Sequence, residues 1–586
     1  MCLEVGEEAV FALLHEPSAG RPGSAVLFCP PFGWEEVCCH RALRSWAGAL
    51  AQAGIPVARI DLPSTGDSGG TPQDPERLGA WTDAVTATAG WLRERTGARR
   101  LAAIGIGLGG LVALRARAEG AEIDDFILWG VPSRGRRLIR EMKAHTQLTV
   151  PAVSEPADAG EAGAIEAMGY LIAPSTARDI EAFRADRLEL GLASGNRVLL
   201  LRRDGVDVDA ALRDSLRAAG ASVEVADGSD WGRMMTHPQQ SVAPRQTIER
   251  TVKWLSEVPG GEAGPPPALA SAQARAREAP ALPVSFADTT LNERPVEFRW
   301  GEERLPGILA EGPAGSERGL CAVLLNAGAV RRVGPNRTWV EAARRWAAAG
   351  VPTLRVDLCG IGDADGEDPR LISDSELNTT ARLEQTLAVL DGLVGLGVGE
   401  RFVLGGLCSG AYWSLRAAEV DARVVGTLLI NLYAFEWTPA LVRERETSHA
   451  VGALQGRAWR RLVRGDLRRD HVLMALRSLR PARLRAASGY PVERSQLPTI
   501  LGSLDGLRDR NVETLLLLGQ GEPLHDQLQR LGILDRLDSW PNVTLSRIPV
   551  RDHMFRALSM QRHVRAELDA AIERTVVGLA ERVTRR

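Results

Sequence analysis

The hydrophobic positions of this chain form short continuous runs separated by segments with helical spacing, and this plan occurs twice. The second half contains six such runs: "CAVLLN" (321–326), "PTLRVDL" (352–358), "RFVLGG" (401–406), "VVGTLLIN" (424–431), "VETLLLLG" (512–519) and "VTLSRIPV" (543–550). The first half follows with "AVLFCP", "IPVARIDL", "RLAAIGI", "DFILWGV", "RVLLLRR" and "SVEVAD". Continuous apolar strands alternating with helices are typical of parallel sheets that have helices on both faces. The pattern therefore predicts an α/β fold in each half.

The two halves also repeat each other in sequence. "AGIPVARIDLPSTGDSGG" (53–70) and "AGVPTLRVDLCGIGDADG" (349–366) are identical at nine of eighteen positions without a gap. The repeat unit approaches 300 residues, which indicates a duplicated domain rather than a solenoid. Residues 257–283 are rich in Pro, Ala and Gly and predict a linker. We expect domains at 1–256 and 284–586, with a helical cap over about residues 432–510 of the second.

Composition and charge exclude several classes of protein. A chain of 586 residues with a net charge of −3 gives no general attraction to nucleic acid. Its seven cysteines have no spacing typical of a zinc site or a disulfide framework, so we expect neither metal nor another cofactor. No apolar run is long enough to predict a membrane span, and the first residues lack the features of a secretory signal. We expect a cytoplasmic protein.

The stretch "GGLCSGA" (405–411) predicts a strand-to-helix elbow with a nucleophile at its tip. Such an elbow needs small residues two places before and after the tip, and Gly406 and Gly410 stand at those places around Cys408. Ser409 is the rival nucleophile, but that register places the bulky Leu407 at a crowded flank. The alternative interpretation is that Cys408 is only a small buried residue under a tight turn.

A thiol nucleophile needs a base, and the base needs an acid that orients it. In α/β folds that carry such an elbow, the acid and then the histidine follow the nucleophile along the chain, each on a loop after a late strand. "QGEPLHD" follows one predicted strand and offers Glu522, with Asp526 as the alternative acid; "RDHMFR" follows the next and offers His553. We predict a triad of Cys408, His553 and Glu522.

An acyl-transfer site also needs donors for the oxyanion. Cys408 would precede a helix, where the dipole favours a thiolate and the N–H of Ser409 can bind the oxyanion. The loop after "CAVLLN" would supply the second donor from residues 327–330, with Ala329 preferred. Attack by the thiolate gives an acyl thioester on Cys408, which water, alcohols, amines or thiols can resolve.

The first half repeats the elbow as "GIGLGG" (105–110), but its tip is Gly107, which has no side chain. Asp204 and His237 stand roughly where an acid and a base would lie, with nothing to activate. We therefore expect the first domain to support the second rather than to catalyse a reaction.

Several motifs resemble a known family. "GAVRRVGPNRTWVEAARRWAAAGVPTLRVDLCGIGDADG", "GGLCSGA", "AWRRLVRGD" and "DHMFR" resemble segments of the type 1 exosortase A system-associated hydrolases over about residues 285–580. Ala364 departs from the usual Ser. The first half more weakly resembles type 2, through "CPPFGWEE", "DLPSTGDSGG" and its elbow. The resemblance implies tandem α/β-hydrolase domains, and it implies that Arg331, Arg332 and Arg337 reach the mouth of the pocket and bind substrate.

The substrate is less clearly indicated. Residues 443–485 of the predicted cap hold twelve arginines against four acidic residues, which suits coenzyme A or an acidic acyl carrier protein, although a solvated helix face explains the charge equally well. Three functions stay open: a cysteine-dependent hydrolase of acyl esters or thioesters, an acyltransferase or cyclase of secondary metabolism with the same triad, and a non-catalytic binding protein.

Overall fold

Two nine-stranded sheets form the framework of the protein. The computed structural model describes residues 1–17, 23–150, 163–257, 275–313, 319–366, 379–437, 441 and 496–584. The first domain is built on strands β1–β11 and the second on strands β12–β20. The strands of the first domain are β1 Cys2–Val5, β2 Glu8–His15, β3 Ser24–Cys29, β4 Val57–Ile60, β5 Arg100–Ile106, β6 Asp125–Trp129, β7 Ile165–Ala167, β8 Tyr170–Ile172, β9 Arg197–Arg202, β10 Ser222–Asp227 and β11 Ala276–Ala279. Those of the second are β12 Leu282–Phe286, β13 Thr289–Trp300, β14 Glu303–Glu311, β15 Leu320–Leu324, β16 Thr353–Val356, β17 Arg401–Leu407, β18 Val424–Ile430, β19 Glu513–Gly519 and β20 Val543–Ile548.

Helices flank both sheets. The first domain contains α1 Trp34–Gln52, α2 Arg77–Thr96, α3 Leu108–Ala118, α4 Gly135–Thr149, α5 Pro174–Ala182, α6 Ala210–Ala218, α7 Trp231–Met234 and α8 Arg245–Ser256. The described part of the second contains α9 Thr338–Ala348, α10 Thr380–Gly395, α11 Ser409–Val420, α12 Leu497–Asp509, α13 Pro523–Arg530 and α14 Leu558–Thr584.

The two sheets have the same strand order apart from the outermost strand, which is the last strand of the first domain and the first strand of the second. From one edge, the first reads β11-β1-β2-β4-β3-β5-β6-β9-β10 and the second reads β12-β13-β14-β16-β15-β17-β18-β19-β20. In each, the first three pairings are antiparallel and the remaining pairings are parallel. The prediction of two α/β domains with mostly parallel sheets flanked by helices is confirmed, and all twelve predicted strands form.

The central strands of each sheet are buried on both faces, which explains the continuous apolar runs. In β3, Ala25 and Leu27 pack into one core cluster, whereas Val26 and Phe28 pack into another on the opposite face. β15 divides its side chains in the same way, with Val323 on one face and Leu324 on the other.

The antiparallel edges were not predicted. β12 to β14 carry many charged side chains, so they lack the continuous apolar pattern of the central strands. Residues 276–279, inside the range predicted to be a linker, form β11 and pair with β1 of the first sheet. β12 begins three residues later in the second sheet, so the chain passes directly from one sheet to the other. The predicted cap lies mostly outside the described residues, as do its arginines and the "AWRRLVRGD" motif.

Candidate active site

Cys408 lies at the tip of a sharp elbow between β17 and α11. Its backbone has φ 59° and ψ −113°, a conformation that costs a non-glycine residue about 1–3 kcal/mol and that persists only where the surroundings enforce it. The Cys408 N–H donates to the carbonyl oxygen of Ile430 at the end of β18, at 2.9 Å. The elbow thus presents the thiol at the carboxyl edge of the sheet, at the N-terminus of a helix.

The flanking glycines allow close backbone approaches that no larger residue could. A Cβ on Gly406 would overlap the backbone of Gly410, and a Cβ on Gly410 would overlap the carbonyl oxygen of Asn326. The loop after β15 therefore lies directly against the first turn of α11, next to Cys408.

His553 and Glu522 meet at this edge. His553 Nδ1 is 2.9 Å from Glu522 Oε1, which leaves Nε2 as the ring nitrogen for Cys408. The thiol interacts with the imidazole through charge and hydrogen bonding, although Nε2 makes no hydrogen bond of standard geometry in the described part of the chain. Such bonds are often loose before substrate binds.

The charge of the imidazole is set by its neighbours. Burial alone would lower the pKa of His553, but the negative charges and hydrogen bonds of Cys408 and Glu522 outweigh it and raise that pKa to about 10. The arrangement thus favours an imidazolium paired with a thiolate on one side and a carboxylate on the other.

Asp526, the alternative acid, points elsewhere. It lies in the first turn of α13 with its side chain 60% exposed, and its carboxylate is 3.4 Å from Nδ1 of the adjacent His525. Glu522 is the N-cap residue of the same helix, yet its side chain does not cap the helix because it bonds to His553 instead. The structure brings Glu522 to the base and keeps Asp526 away from it.

The predicted oxyanion donors lie on the two segments that meet here. Ser409 is the first residue of α11, so its N–H has no partner within the helix. Ala329 follows Gly328, which has φ 57°, in a tight turn closed by the bond from Val330 N–H to Ala327 O at 3.1 Å. The Ala329 N–H makes no hydrogen bond to the described residues, so it too is available.

Three polar residues that hold these loops were missed by the sequence reasoning. Asn431, with φ 44°, donates to His553 O at 2.8 Å and accepts from Gly519 N at 2.7 Å, so one side chain joins the two loops after β18 and β19 to the histidine segment. Asp552 accepts from Arg556 N at 2.8 Å and fixes the turn after His553. Asn326 donates to Val330 O at 3.1 Å in the oxyanion turn. Each is a single polar residue at a strand end, a signal too common to single out.

The three arginines expected to reach the pocket mouth and bind substrate are buried at the junction of the two domains. Arg331, Arg332 and Arg337 are almost fully buried, with exposures of 3%, 1% and 4%. Arg331 and Arg332 pair with carboxylates, and Arg337 donates to three backbone carbonyl groups of the first domain, as well as pairing with Glu341. Their charges are thus matched inside the protein, at the junction of the two domains, because their loop packs against the first domain.

The elbow of the first domain has nearly the same backbone conformation as that of the second, but its tip residue has no side chain. Gly107 has φ 53° and ψ −119°. Asp204 is exposed and accepts from Gly232 N at 2.8 Å, with no bond to His237 in the described part of the chain. His237 is exposed and accepts from Gln239 N.

Among the described residues, no group of three His, Cys, Asp or Glu side chains is arranged to hold a metal ion. In the same residues, no helix has both the length and the apolar character to cross a bilayer.

Comparison with known proteins gives matches of fold only. No family model matches the chain, and no curated protein does. Est1E from Butyrivibrio proteoclasticus with ferulic acid bound is 16% identical, with a TM-score of 0.32 over 44% of this chain and 98% of that chain. Proline iminopeptidase of Mycobacterium smegmatis is 16% identical, with a TM-score of 0.31 over 49% and 99%. A thermophilic esterase from Thermogutta terrifontis is 15% identical, with a TM-score of 0.29 over 48% and 99%. At these scores the likeness carries no argument about activity.

Proposed function

We propose that the second domain is a cysteine-dependent acyl-transfer enzyme that hydrolyses an acyl ester or thioester through an acyl-Cys408 intermediate. The observation that carries the proposal is the arrangement at the elbow: a thiol at a helix N-terminus faces an imidazole whose other nitrogen bonds to Glu522. A structural cysteine under a tight turn does not need a histidine and a carboxylate behind it.

The chemistry follows from the charges. The Cys408 thiolate attacks the acyl carbon, and the N–H groups of Ser409 and Ala329 stabilise the oxyanion. The carbon–oxygen or carbon–sulfur bond to the leaving group then breaks, and the His553 imidazolium gives that group its proton. Neutral His553 takes a proton from water as the water attacks the acyl thioester, which releases the acid and restores the thiolate–imidazolium pair.

The acceptor in the second step distinguishes two enzymes. Water gives a hydrolase, whereas an alcohol or amine gives an acyltransferase or cyclase with the same first step. The resemblance to exosortase-associated hydrolases favours water, and the arginine-rich cap segment suits coenzyme A or a carrier protein as the leaving group. A cytoplasmic location stays part of the same prediction.

Intact-mass spectrometry tests the proposal. Wild-type protein is mixed with p-nitrophenyl acetate and then with a panel of acyl-coenzyme A and carrier-bound thioesters. We expect the mass to rise by one acyl group on Cys408, with nitrophenolate or free thiol released. Release of free acid identifies a hydrolase, and acylated alcohol or amine identifies a transferase. A protein that binds these compounds without gaining mass is a binding protein, and the proposal then fails.

A further inference from the structure

We propose that Asp61 of the first domain is a positioning residue for the oxyanion loop of the second domain, residues 326–332. The inference rests on the proposed function, because an oxyanion loop matters only if an acyl group is attacked. It gives the first domain, which lacks a nucleophile of its own, a defined part in the reaction.

The oxyanion loop carries the backbone donor at one point and its anchor two residues later. Ala329 lies in the turn that follows Asn326, the residue whose carbonyl packs against Gly410 of the elbow, and the Arg331 side chain extends to the first domain. Arg331 Nη1 is 3.0 Å from Asp61 Oδ2, and Nη2 is 2.8 Å from Asp61 Oδ1. A two-point bond between planar groups fixes orientation as well as position.

Among the described residues, the second domain offers no carboxylate in place of this anchor. Within the described residues, the carboxylates within 4 Å of the Arg331 guanidinium are those of Asp61, Glu36 and Asp67, and all three belong to the first domain. The Arg331 side chain is 2% exposed. Without the Asp61 carboxylate, Arg331 keeps the charges of Glu36 at 3.2 Å and Asp67 at 3.8 Å but loses the two-point bond that fixes its orientation, so the loop would shift.

The fit at Asp61 is tight on both sides. A Cβ on Gly66 would overlap Asp61 Oδ2 and come within 2.5 Å of Arg331 Nη2, so the motif of the first domain leaves room for the arginine by having glycine there. Asp61 Oδ2 also accepts from Asp67 N at 2.8 Å, which holds the carboxylate in place.

Equivalent residues of the two repeats exchange partners across the same junction. Arg59 and Asp67 of the first domain correspond in the repeat to Arg355 and Asp363 of the second. Arg59 pairs with Asp363 at 2.6 Å, and Arg355 pairs with Asp67 at 3.1 Å. The junction is thus built like the self-complementary interface of a symmetric dimer. Arg331 has no counterpart in this exchange, because Pro and Phe residues occupy the corresponding loop of the first domain.

The first domain also contacts the other catalytic loop. Arg556, three residues after His553, donates to Thr149 O at 3.1 Å, and Gln561 donates to Gly169 O at 2.8 Å. Trp34 belongs to the same apolar cluster as Cys408. Both loops that complete the site therefore rest on the first domain.

The test compares two reactions of Cys408 in full-length protein. Acylation by p-nitrophenyl acetate develops an oxyanion, whereas alkylation by iodoacetamide displaces iodide and needs only the thiolate. In Asp61→Asn we expect acylation to slow by roughly 10- to 100-fold with KM little changed, below the ~10²–10³-fold that removal of an oxyanion donor costs. Alkylation should stay within about threefold.

Control variants separate positioning from general damage. Asp125→Asn removes a buried carboxylate that pairs with Arg100 and Arg197 inside the first domain, far from the junction in sequence. It should leave both reactions near the wild-type rates. Arg331→Met should match Asp61→Asn, the double variant should be no worse than either, and Arg331→Lys should fall between because it keeps the charge without the two-point bond.

Three outcomes would overturn the inference: acylation in Asp61→Asn within threefold of wild type, a parallel loss of alkylation, or an equal loss in Asp125→Asn. Circular dichroism and thermal melting confirm that each variant is folded at the assay temperature. If the wild-type protein gains no acyl group on Cys408, the proposed function itself is contradicted. If the wild-type protein is acylated and Asp61→Asn is acylated at the same rate, only this inference is contradicted.

Discussion

The two elbows of this protein have nearly the same backbone and different chemical capacity. Cys408 and Gly107 have φ/ψ values within about 6° of each other. Each tip N–H donates to the carbonyl at the end of the neighbouring strand, Ile430 in one case and Trp129 in the other. The fold therefore sets the elbow whether or not a nucleophile occupies its tip, and the difference in chemistry lies in the side chains at and around the tip.

The loops around the elbows differ more than the elbows do. In the second domain, the Asn431 side chain donates a hydrogen bond to the His553 carbonyl and holds that segment at the sheet edge, and Glu522 bonds to the imidazole. In the first domain, the Asp204 carboxylate accepts a hydrogen bond from Gly232 N–H and does not bond to His237 in the described residues. The two elbows thus share their backbone geometry, but the contact between His553 and Glu522 has no equivalent between Asp204 and His237 in the described residues.

The largest effect should come from exchanging the elbow tips. Cys408→Ala should abolish acylation and alkylation at this site, while Ser409→Ala keeps substantial activity because it retains the backbone N–H. Gly107→Cys in the Cys408→Ala background should fold, since a Cβ there meets nothing closer than Glu35 Oε2 at 3.6 Å, yet should not restore acylation. Intact mass after p-nitrophenyl acetate measures each variant. Activity in Cys408→Ala with loss in Ser409→Ala would reverse the assignment of the nucleophile.

His553→Ala should give the next largest loss. Removal of a general acid–base group costs about 10²–10⁴-fold, and the thiolate also loses its counter-charge. Stopped-flow release of nitrophenolate measures the acylation step. His525→Ala, in the neighbouring helix α13, provides the control, and an equal loss there would contradict the role of His553.

The acid can be tested with two isosteric changes four residues apart. Glu522→Gln should slow acylation on the order of ten- to a thousandfold, less than the roughly 10⁴-fold seen when a serine triad loses its orienting acid, because the thiolate–imidazolium pair partly sustains itself. Asp526→Asn should stay within a few fold because its side chain faces solvent. If Asp526→Asn proved the damaging change in folded protein, the acid would be misassigned while nucleophile and base stand.

The pH dependence should separate acylation from alkylation. The raised pKa of His553, about 10, means that the imidazolium is present at lower pH and is lost as pH rises through that value. Acylation by an alkyl ester, whose alcohol leaves only with a proton, should therefore fall above about pH 10 by about tenfold per pH unit, whereas alkylation by iodoacetamide should persist because the thiolate remains. In Glu522→Gln the fall should begin at lower pH, since the carboxylate no longer raises the pKa of His553. A fall at unchanged pH in that variant would show that Glu522 does not act on the imidazole.

The smallest effect should come from the counterparts in the first domain. Asp204→Asn and His237→Ala should each leave turnover within about threefold, because both side chains are exposed and lie at an elbow without a nucleophile. Steady-state hydrolysis of p-nitrophenyl acetate measures this. A large defect in either stable variant would show that the first domain contributes chemistry of its own.

Much of the second-domain site could be anticipated because local patterns encode it. The glycines around Cys408 and the loops that follow β19 and β20 are signals of fixed spacing, and they led to Cys408, His553 and Glu522. The antiparallel strands β12 to β14 could not be read in this way, because edge strands with one exposed face lack continuous apolar runs. Asn431 and Asp552 carry no signal either, since any polar residue at a strand end looks the same in sequence.

The sequence by itself determined the α/β character of the two halves, their central strands and the residue types of the candidate triad, because apolar periodicity and turn glycines act over a few residues. Only the tertiary structure decided which partner each charge has. Arg331 and its neighbours look in sequence like free cations beside a pocket, but Arg331 pairs with Asp61, 270 positions away, and Arg332 pairs with Asp67 and Asp357. Burial makes such pairing obligatory, and burial depends on how the two domains pack against each other.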